Sequence, residues 1–360
     1  MKVLQVINSL IAGGAEKLLV DATIAHSNMG IETDILLLRN VDSPFINKLE
    51  NHPKIKVFWL SENSSVYNPA HIFKLMKYFA NYDVVHVHLF PCLYWAGIAA
   101  MLGKKNYRLV YTEHNTTNRR RESKFFKLLD RFIYKRYDDI VSISDSVDES
   151  LKNHLGKSFK NITKIYNGID LKEINSALPY PRAEMNLSSE NVALIQVSSF
   201  TPQKNQDFLI KSLKHLPDHV VLFLVGDGTL RKTSEELASH LEVDQRVHFL
   251  GIRKDVPRLL KTMDYVILSS HFEGLSLSSV EGLASGKPFL ASDVPGLTEV
   301  VQGAGILFED DNMESFTRQL LRLIDNHDYR ESTAKMCEER AQKYDILTMC
   351  RKYQSLYQKN

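Results

Sequence analysis

Two glutamates, Glu273 and Glu281, stand eight positions apart around a segment able to start a helix. Glu273 lies in the run His271-Phe272-Glu273-Gly274, just after Tyr265–Ser269, an apolar run that reads as a buried parallel strand. Ser276, Ser278 and Ser279 are residue types that cap helices, so a helix is expected over Ser276–Ala284, stopped by Gly286 and Pro288. Pro288–Ala291 then reads as the next strand. A helix start presents unpaired N–H groups and a partial positive charge, a combination that binds phosphate. With one carboxylate just ahead of that start and one inside the helix, the segment could hold the hydroxyls on the two sides of a diphosphate. Two glutamates alone would be no more than a chance spacing on a surface. Gly274, the serines and the Gly286-Lys287-Pro288 exit supply the structural context.

Other chemistry-bearing residues also fall just after strand-like runs. Val3–Asn8 precedes Gly13-Gly14 and a helix-like run over Ala15–Met29. This is a strand, a tight turn and a helix start, suited to a phosphate or carboxylate. It lacks the GxGxxG spacing of a dinucleotide site, and a plain turn accounts for it equally. Asp83–His88 ends in His86-Val87-His88, and Arg108–Thr112 runs into Glu113-His114-Asn115. His86 and His88 could ligate a metal, but no cysteine or third histidine is close in sequence, and no metal is expected. In parallel sheets ligands bind at the C-terminal strand ends, which singles out His88 and His114.

The elements that must position these groups alternate along the chain. Strands are expected at Thr33–Leu38, Lys54–Trp59, Asp139–Ser144 and Ile162–Tyr166, with a helix at Ile72–Ala80. Near-continuous apolar strands separated by helices imply a parallel sheet covered on both faces. After Asn167-Gly168-Ile169-Asp170 the periodicity lapses, and Leu178–Arg182 with Ser188–Glu190 reads as a linker. A second series follows, with strands at Val192–Val197, Val220–Val225, Val247–Leu250, Tyr265–Ser269, Pro288–Ala291 and Ile306–Phe308. The loops carrying Lys204-Asn205, Gly226-Asp227-Gly228, Gly251-Ile252-Arg253 and Glu273 all follow strands and can meet along one sheet edge.

At 360 residues the chain accommodates two domains, each with its own core. Its 44% hydrophobic and 24% charged residues match a soluble globular protein. Cys92, Cys337 and Cys350 form no CxxC pair, which fits a reduced, cytoplasmic compartment. The first residues, broken by Gln5 and Asn8, read as a strand rather than a signal peptide. No apolar stretch approaches the ~20 residues needed to span a bilayer. Net charge is only +2, yet Arg119, Arg120, Arg121, Lys124, Lys127, Arg131, Lys135 and Arg136 crowd one segment, opposed by Glu122 and Asp130 alone.

Glu273, seven intervening residues, Glu281 and then Ala284-Ser285-Gly286-Lys287-Pro288 resemble the signature of the family 4 retaining glycosyltransferases. The resemblance implies the GT-B fold, two Rossmann-like α/β domains facing a cleft: residues 1–172 on the acceptor side, 173–344 binding a nucleotide sugar. A C-terminal helix, 345–360, would cross back to the first domain. Ile346, Met349, Cys350, Tyr353 and Tyr357 fall on one stripe of that helix.

The resemblance also implies roles. Glu273 binds sugar hydroxyls near the reacting carbon, and Glu281 holds the ribose. Backbone groups near Ile252 pair with the base. Lys204, with the N–H groups of Leu277 and Ser278 at the helix start, faces the diphosphate, and Gly274 belongs to the donor-binding loop. The Gly13-Gly14 loop reaches the donor phosphates, and His114, within Thr112-Glu113-His114-Asn115, faces the reacting sugar. Ser199 stands where the family usually has an arginine on the diphosphate, and Arg253 is a candidate substitute. The expected reaction is metal-independent, cofactor-free transfer from a nucleotide-diphosphate sugar to a glycan or lipid-linked acceptor, in surface polysaccharide or glycolipid synthesis. A nucleotide-sugar epimerase of the same fold and a non-catalytic nucleotide-sugar binder are the alternatives. No Asp-x-Asp occurs that would hold a diphosphate through a metal.

Residues 119–137 read as a basic amphipathic helix with Phe125, Leu128, Leu129, Phe132, Ile133 and Tyr137 on its apolar side. The plain expectation is packing on the sheet. The six net charges add a second, an anionic membrane surface on the inner face of the plasma membrane. Nucleic acid is not expected, because no basic–aromatic groove accompanies the charges.

Overall fold

A computed structural model describes residues 1–11, 13–115, 123–156 and 159–359, without the side chain of Lys124. The chain forms two compact units, Met1–Gly168 with Ile346–Asn360, and Ile169–Asp345.

Among the described residues the first unit is built on seven parallel strands: β1 (Lys2–Ile7), β2 (Glu32–Leu37), β3 (Val57–Trp59), β4 (Val84–His88), β5 (Arg108–Glu113), β6 (Asp139–Ser142) and β7 (Ile162–Lys164). Their order is β3-β2-β1-β4-β5-β6-β7. β1 and β4 are buried over nearly their whole length because helices cover both faces. Alternation assigns the faces. Leu4, Val6, Val85, Val87, Leu109 and Tyr111 join one apolar core. Gln5 pairs in register with His86, and His88 with Thr112, so the opposite face carries a polar patch in mid-sheet. That patch lies beneath the C-terminal helix, Ile346–Tyr357, which buries Ile346, Met349, Cys350, Tyr353, Leu356 and Tyr357. Five large side chains besides Cys350, at about 1.5–3 kcal/mol each, make this return of the chain a substantial share of the unit's stability.

The second unit has six parallel strands: β8 (Val192–Val197), β9 (Val220–Val225), β10 (Val247–Gly251), β11 (Tyr265–Leu268), β12 (Phe289–Ser292) and β13 (Ile306–Phe308). They are ordered β10-β9-β8-β11-β12-β13. Its core is led by Phe200, Phe208, Leu222, Leu224, Ile267 and Phe316.

The division falls at 168/169, four residues before the expected one, because Ile169 pairs with Asp345 and its N–H donates to Tyr344 O at 2.9 Å. The expected linker at Leu178–Arg182 with Ser188–Glu190 is also corrected. Arg182 forms an ion pair with Asp264, and the Tyr180 hydroxyl donates to Asp255, so this stretch packs on the second unit.

The expected helix over 119–137 is observed as Lys124–Tyr134, and 119–122 lie outside the described residues. Its apolar stripe divides. Ile133 and Tyr134 are buried in the core, whereas Phe125, Leu128 and Phe132 are 70%, 72% and 46% exposed. All three cysteines are free and buried. Among the described residues no helix is long and apolar enough to cross a membrane.

Candidate active site

In the second unit the site is assembled at the C-terminal ends of β8 and β11. Gln196 ties the two together. Its Oε1 accepts from Ser269 N (3.1 Å) and Ser269 Oγ (3.0 Å), and its Nε2 donates to Lys204 O at 2.9 Å. This fixes the short turn Pro202–Lys204 beside the Glu273 loop. Lys204 Nζ lies 2.5 Å from Glu273 Oε1, which also accepts from Ser270 Oγ at 2.7 Å. Gln203 Nε2 donates to Phe272 O at 2.7 Å and reaches Glu273 Oε2 at 3.4 Å.

Glu273 is only 5% exposed, and a buried carboxylate needs such partners. Its Oε1 is occupied, while Oε2 keeps room to accept from a ligand hydroxyl. Gly296 makes the loop possible. At φ +88° a Cβ there would stand 2.2 Å from Glu273 O and 2.3 Å from Gly274 O. The close approach lets Glu273 N donate to Pro295 O at 3.1 Å.

The helix after this loop is Leu277–Ala284, with Ser276 at its N-cap position. The expected serine caps are corrected: no side chain caps this end, and Ser279 Oγ turns instead to donate to Ser276 O at 2.6 Å. The Leu277 and Ser278 N–H groups therefore have no protein partner among the described residues. An open helix start beside Lys204 is an anion site by both dipole and donors. Glu281 sits further along the same helix, half-buried.

Ser199 is exposed, and its carbonyl accepts from Gln206 Nε2 at 2.9 Å. The Arg253 guanidinium is committed elsewhere: Nε and Nη2 grip the two oxygens of Asp255 at 2.8 and 2.6 Å. That clamp, with the Tyr180 hydroxyl, holds the Asp255 carboxyl far below the usual carboxylate range, against the opposing effect of burial. Among the described residues Lys204 is thus the cation that adjoins Glu273. Ile252, just beyond β10, is 78% exposed.

In the first unit Gly13 precedes the helix Gly14–Asn28. The Glu16 carboxylate folds over this start. A Cβ on Gly13 would meet Glu16 Oε2 at 2.4 Å, and burial raises the Glu16 pKa while its own backbone N–H lowers it. The Glu16 carboxylate thus lies beside Gly13, while a Cβ on Gly14 would meet nothing within 4 Å.

His114, after β5, joins the polar patch. His114 Nε2 lies 3.0 Å from His88 Nδ1, and His88 Nε2 lies 2.8 Å from Gln5 Oε1. His86 bridges Tyr357 Oη and Thr112 Oγ1, each at 2.7 Å. Burial lowers the pKa of His86 and His88 well below the ordinary value, and those of His114 and His26 to about 4. All four are neutral at pH 7. A cavity of about 20 Å³, room for about one water, opens among His26, His86, His88, His114 and Tyr357. Among the described residues no three His, Cys, Asp or Glu groups are placed to hold a metal ion.

Sequence reasoning missed Gln203, Ser270, Gln5 and Tyr357 as parts of these sites. Gln5 left a visible signal, a polar residue interrupting an apolar strand. The others left none, since their partners come from distant segments.

Residues 12–173 match the family described as Glycosyltransferase Family 4, and residues 182–344 match Glycosyl transferases group 1. The chain is 24% identical over 363 residues to the Campylobacter jejuni N-acetylgalactosamine-N,N'-diacetylbacillosaminyl-diphospho-undecaprenol 4-alpha-N-acetylgalactosaminyltransferase, spanning 96% of each chain. It is 27% identical over 271 residues to the Escherichia coli UDP-Gal:alpha-D-GlcNAc-diphosphoundecaprenol alpha-1,3-galactosyltransferase, covering 71% of this chain and 69% of the relative. Among solved structures, Anabaena HepE in complex with UDP superposes with a TM-score of 0.87 over 99% of each chain at 23% identity, a likeness of fold, and its complex with UDP-glucose superposes at 0.85. With matches to both halves of the chain and GT-B structures alike over its full length, the chain belongs to the group 1, family 4 glycosyltransferases.

Proposed function

We propose that this glycosyltransferase moves a sugar from a nucleotide-diphosphate sugar, a UDP-sugar, to a lipid-diphosphate-linked glycan, with retention at the anomeric carbon and without a metal ion. The observation that carries the reading is the triad of Lys204, Glu273 and the uncapped start of the Leu277–Ala284 helix. Transfer breaks the bond between sugar C1 and the β-phosphate oxygen, leaving negative charge on that oxygen. Lys204 and the Leu277 and Ser278 N–H groups are preorganised donors for it, which is how such a barrier is lowered. Glu273 Oε2 accepts from a sugar hydroxyl near C1, and Glu281 accepts from the ribose. The acceptor oxygen forms the new bond on the face the phosphate leaves, and the departing oxygen takes the acceptor's proton.

The names of the Escherichia coli and Campylobacter jejuni relatives support an undecaprenyl-diphosphate acceptor, and the HepE complexes support UDP as the nucleotide. Surface polysaccharide or glycolipid synthesis is the matching role. Lys204 and the amide donors supply the counter-charge, and the sequence has no Asp-x-Asp, which together support metal independence. The test is incubation with UDP-glucose, UDP-galactose or their N-acetylamino forms and an undecaprenyl-diphosphate-linked sugar, in EDTA. The expected product is a lipid one sugar heavier, with the donor's anomeric configuration by NMR. Donor epimerisation, or no transfer from any donor, would sink the reading.

The exposed face of the Lys124–Tyr134 helix supports membrane docking. Phe125, Leu128 and Phe132 project to solvent, with Lys127 and Arg131 on the same element and Arg119–Arg121 just before it in sequence. Each basic residue near an anionic leaflet contributes about 1 kcal/mol. The protein should sediment with anionic vesicles at low salt and be released by high salt. Absence of binding at low salt would leave this face without that role.

A further inference from the structure

The polar patch of the first unit is a hydrogen-bonded chain with a direction. A neutral imidazole offers one donor and one acceptor. His88 and His86 each have a partner on both ring nitrogens, so each must donate through one and accept through the other. Gln5 Oε1 can only accept, so His88 carries its proton on Nε2, 2.8 Å away. His88 Nδ1 is then an acceptor, and the proton in the 3.0 Å contact to His114 belongs to His114 Nε2. The other half of the chain agrees. The Gln5 side chain also hydrogen-bonds Tyr357, and with its Oε1 placed on His88 the end left for Tyr357 is the Nε2 amide, which donates. The Tyr357 hydroxyl is then free to donate to His86 Nδ1, and His86 Nε2 to Thr112. Thr112 also lies 3.1 Å from Tyr353 Oη, a hydroxyl pair in which either oxygen can donate.

We propose that Gln5, His88 and Tyr357 are positioning residues that lock His114 as its Nε2–H tautomer, so that its Nδ1 lone pair is offered to the ligand and selects a hydroxyl donor there. Nδ1 of His114 has no protein partner among the described residues. Turning the Gln5 amide round would reverse every bond in the chain and make that nitrogen an N–H donor, which would repel a hydroxyl proton and favour a carbonyl oxygen instead. The Gln5 orientation, held by Tyr357 of the C-terminal helix, therefore decides what chemistry His114 presents. The hydroxyl class rests on the reading that His114 touches the transferring sugar, whereas the tautomer lock does not.

Long-range proton–nitrogen NMR on the full chain with 15N-labelled histidine, His114 assigned by His114→Gln, reads the tautomer directly. Between about pH 5.5 and 8 wild type should show a single Nε2–H form for His114. An Nδ1–H form, a mixture or an imidazolium would overturn the lock. Gln5→Leu should release His114 into a mixture and lower kcat/KM about tenfold, the equivalent of one hydrogen bond. Tyr357→Phe, which keeps the ring, should do the same and stands in if Gln5→Leu does not fold. A single unchanged tautomer in both variants would overturn the role of Gln5 and Tyr357. Mixed tautomers with wild-type transfer would overturn the hydroxyl selection, and with it the placement of His114 on the sugar, while leaving the lock.

Discussion

Acidification from pH 6.5 to 5.5 should cost the first unit about 4 kcal/mol of stability. His26, His86, His88 and His114 are all held neutral by burial, with pKa values lowered to about 4 or well below the ordinary 6.5. The unfolded chain binds protons at these sites near 6.5 and the folded chain does not, so stability is full above about 6.5 and falls as pH drops towards 4. Integrated between pH 6.5 and 5.5, each histidine contributes about 1 kcal/mol, and the four act in the same direction. That is a large fraction of the ~5–15 kcal/mol by which a domain is stable. The protein carries two tryptophans, Trp59 and Trp95, and both belong to the first unit, so tryptophan fluorescence during urea unfolding reports that unit alone. With a slope of about 2 kcal/mol/M the midpoint should fall by about 2 M. His26→Gln should remove about a quarter of the shift. A midpoint that stays within about 0.3 M between the two pH values, or rises on acidification, would refute neutral burial of the cluster.

Glu281→Ala should raise the donor KM about tenfold with kcat nearly unchanged, because a ribose contact persists through the reaction; an equal fall in kcat would place Glu281 on the reacting sugar. Gly296→Ala should abolish most transfer, since its Cβ would collide with Glu273 O at 2.2 Å, while the first unit's urea midpoint stays at the wild-type value; retained activity would free the Glu273 loop from that constraint. Leu356→Ala, 1% exposed in the C-terminal helix, should destabilise the first unit by about 2–5 kcal/mol by the same fluorescence assay, and a loss under 1 would mean the helix is not seated there.

Much of the fold was legible because strands buried on both faces of a parallel sheet read as near-continuous apolar runs, which are hard to mistake. All six expected strands of the second unit occur within a residue of their positions. The boundary near 170 was blurred because Leu178–Glu190 has a linker's composition but is pinned by Arg182 and Tyr180 to residues some 80 positions later. At the site, the Glu273 loop and open helix start could be read from local spacing. The serines misled in detail, because capping propensity says which residue types can close a helix start and not which way Ser279 turns. The histidine chain was invisible for a different reason. It joins Gln5, His86 and Tyr357, and the His86–Tyr357 bond alone spans 271 positions, so only the folded register brings the partners together.

The central claim, that Lys204 and the adjoining helix start hold the donor diphosphate, is tested most directly by calorimetric titration of UDP into wild type and Lys204→Ala in EDTA. The account predicts one site that persists without metal and weakens about 10- to 100-fold in the variant, the loss of one charge-assisted contact of about 1.5–3 kcal/mol. UDP binding that vanishes in EDTA, or that is equally tight in Lys204→Ala, would contradict it.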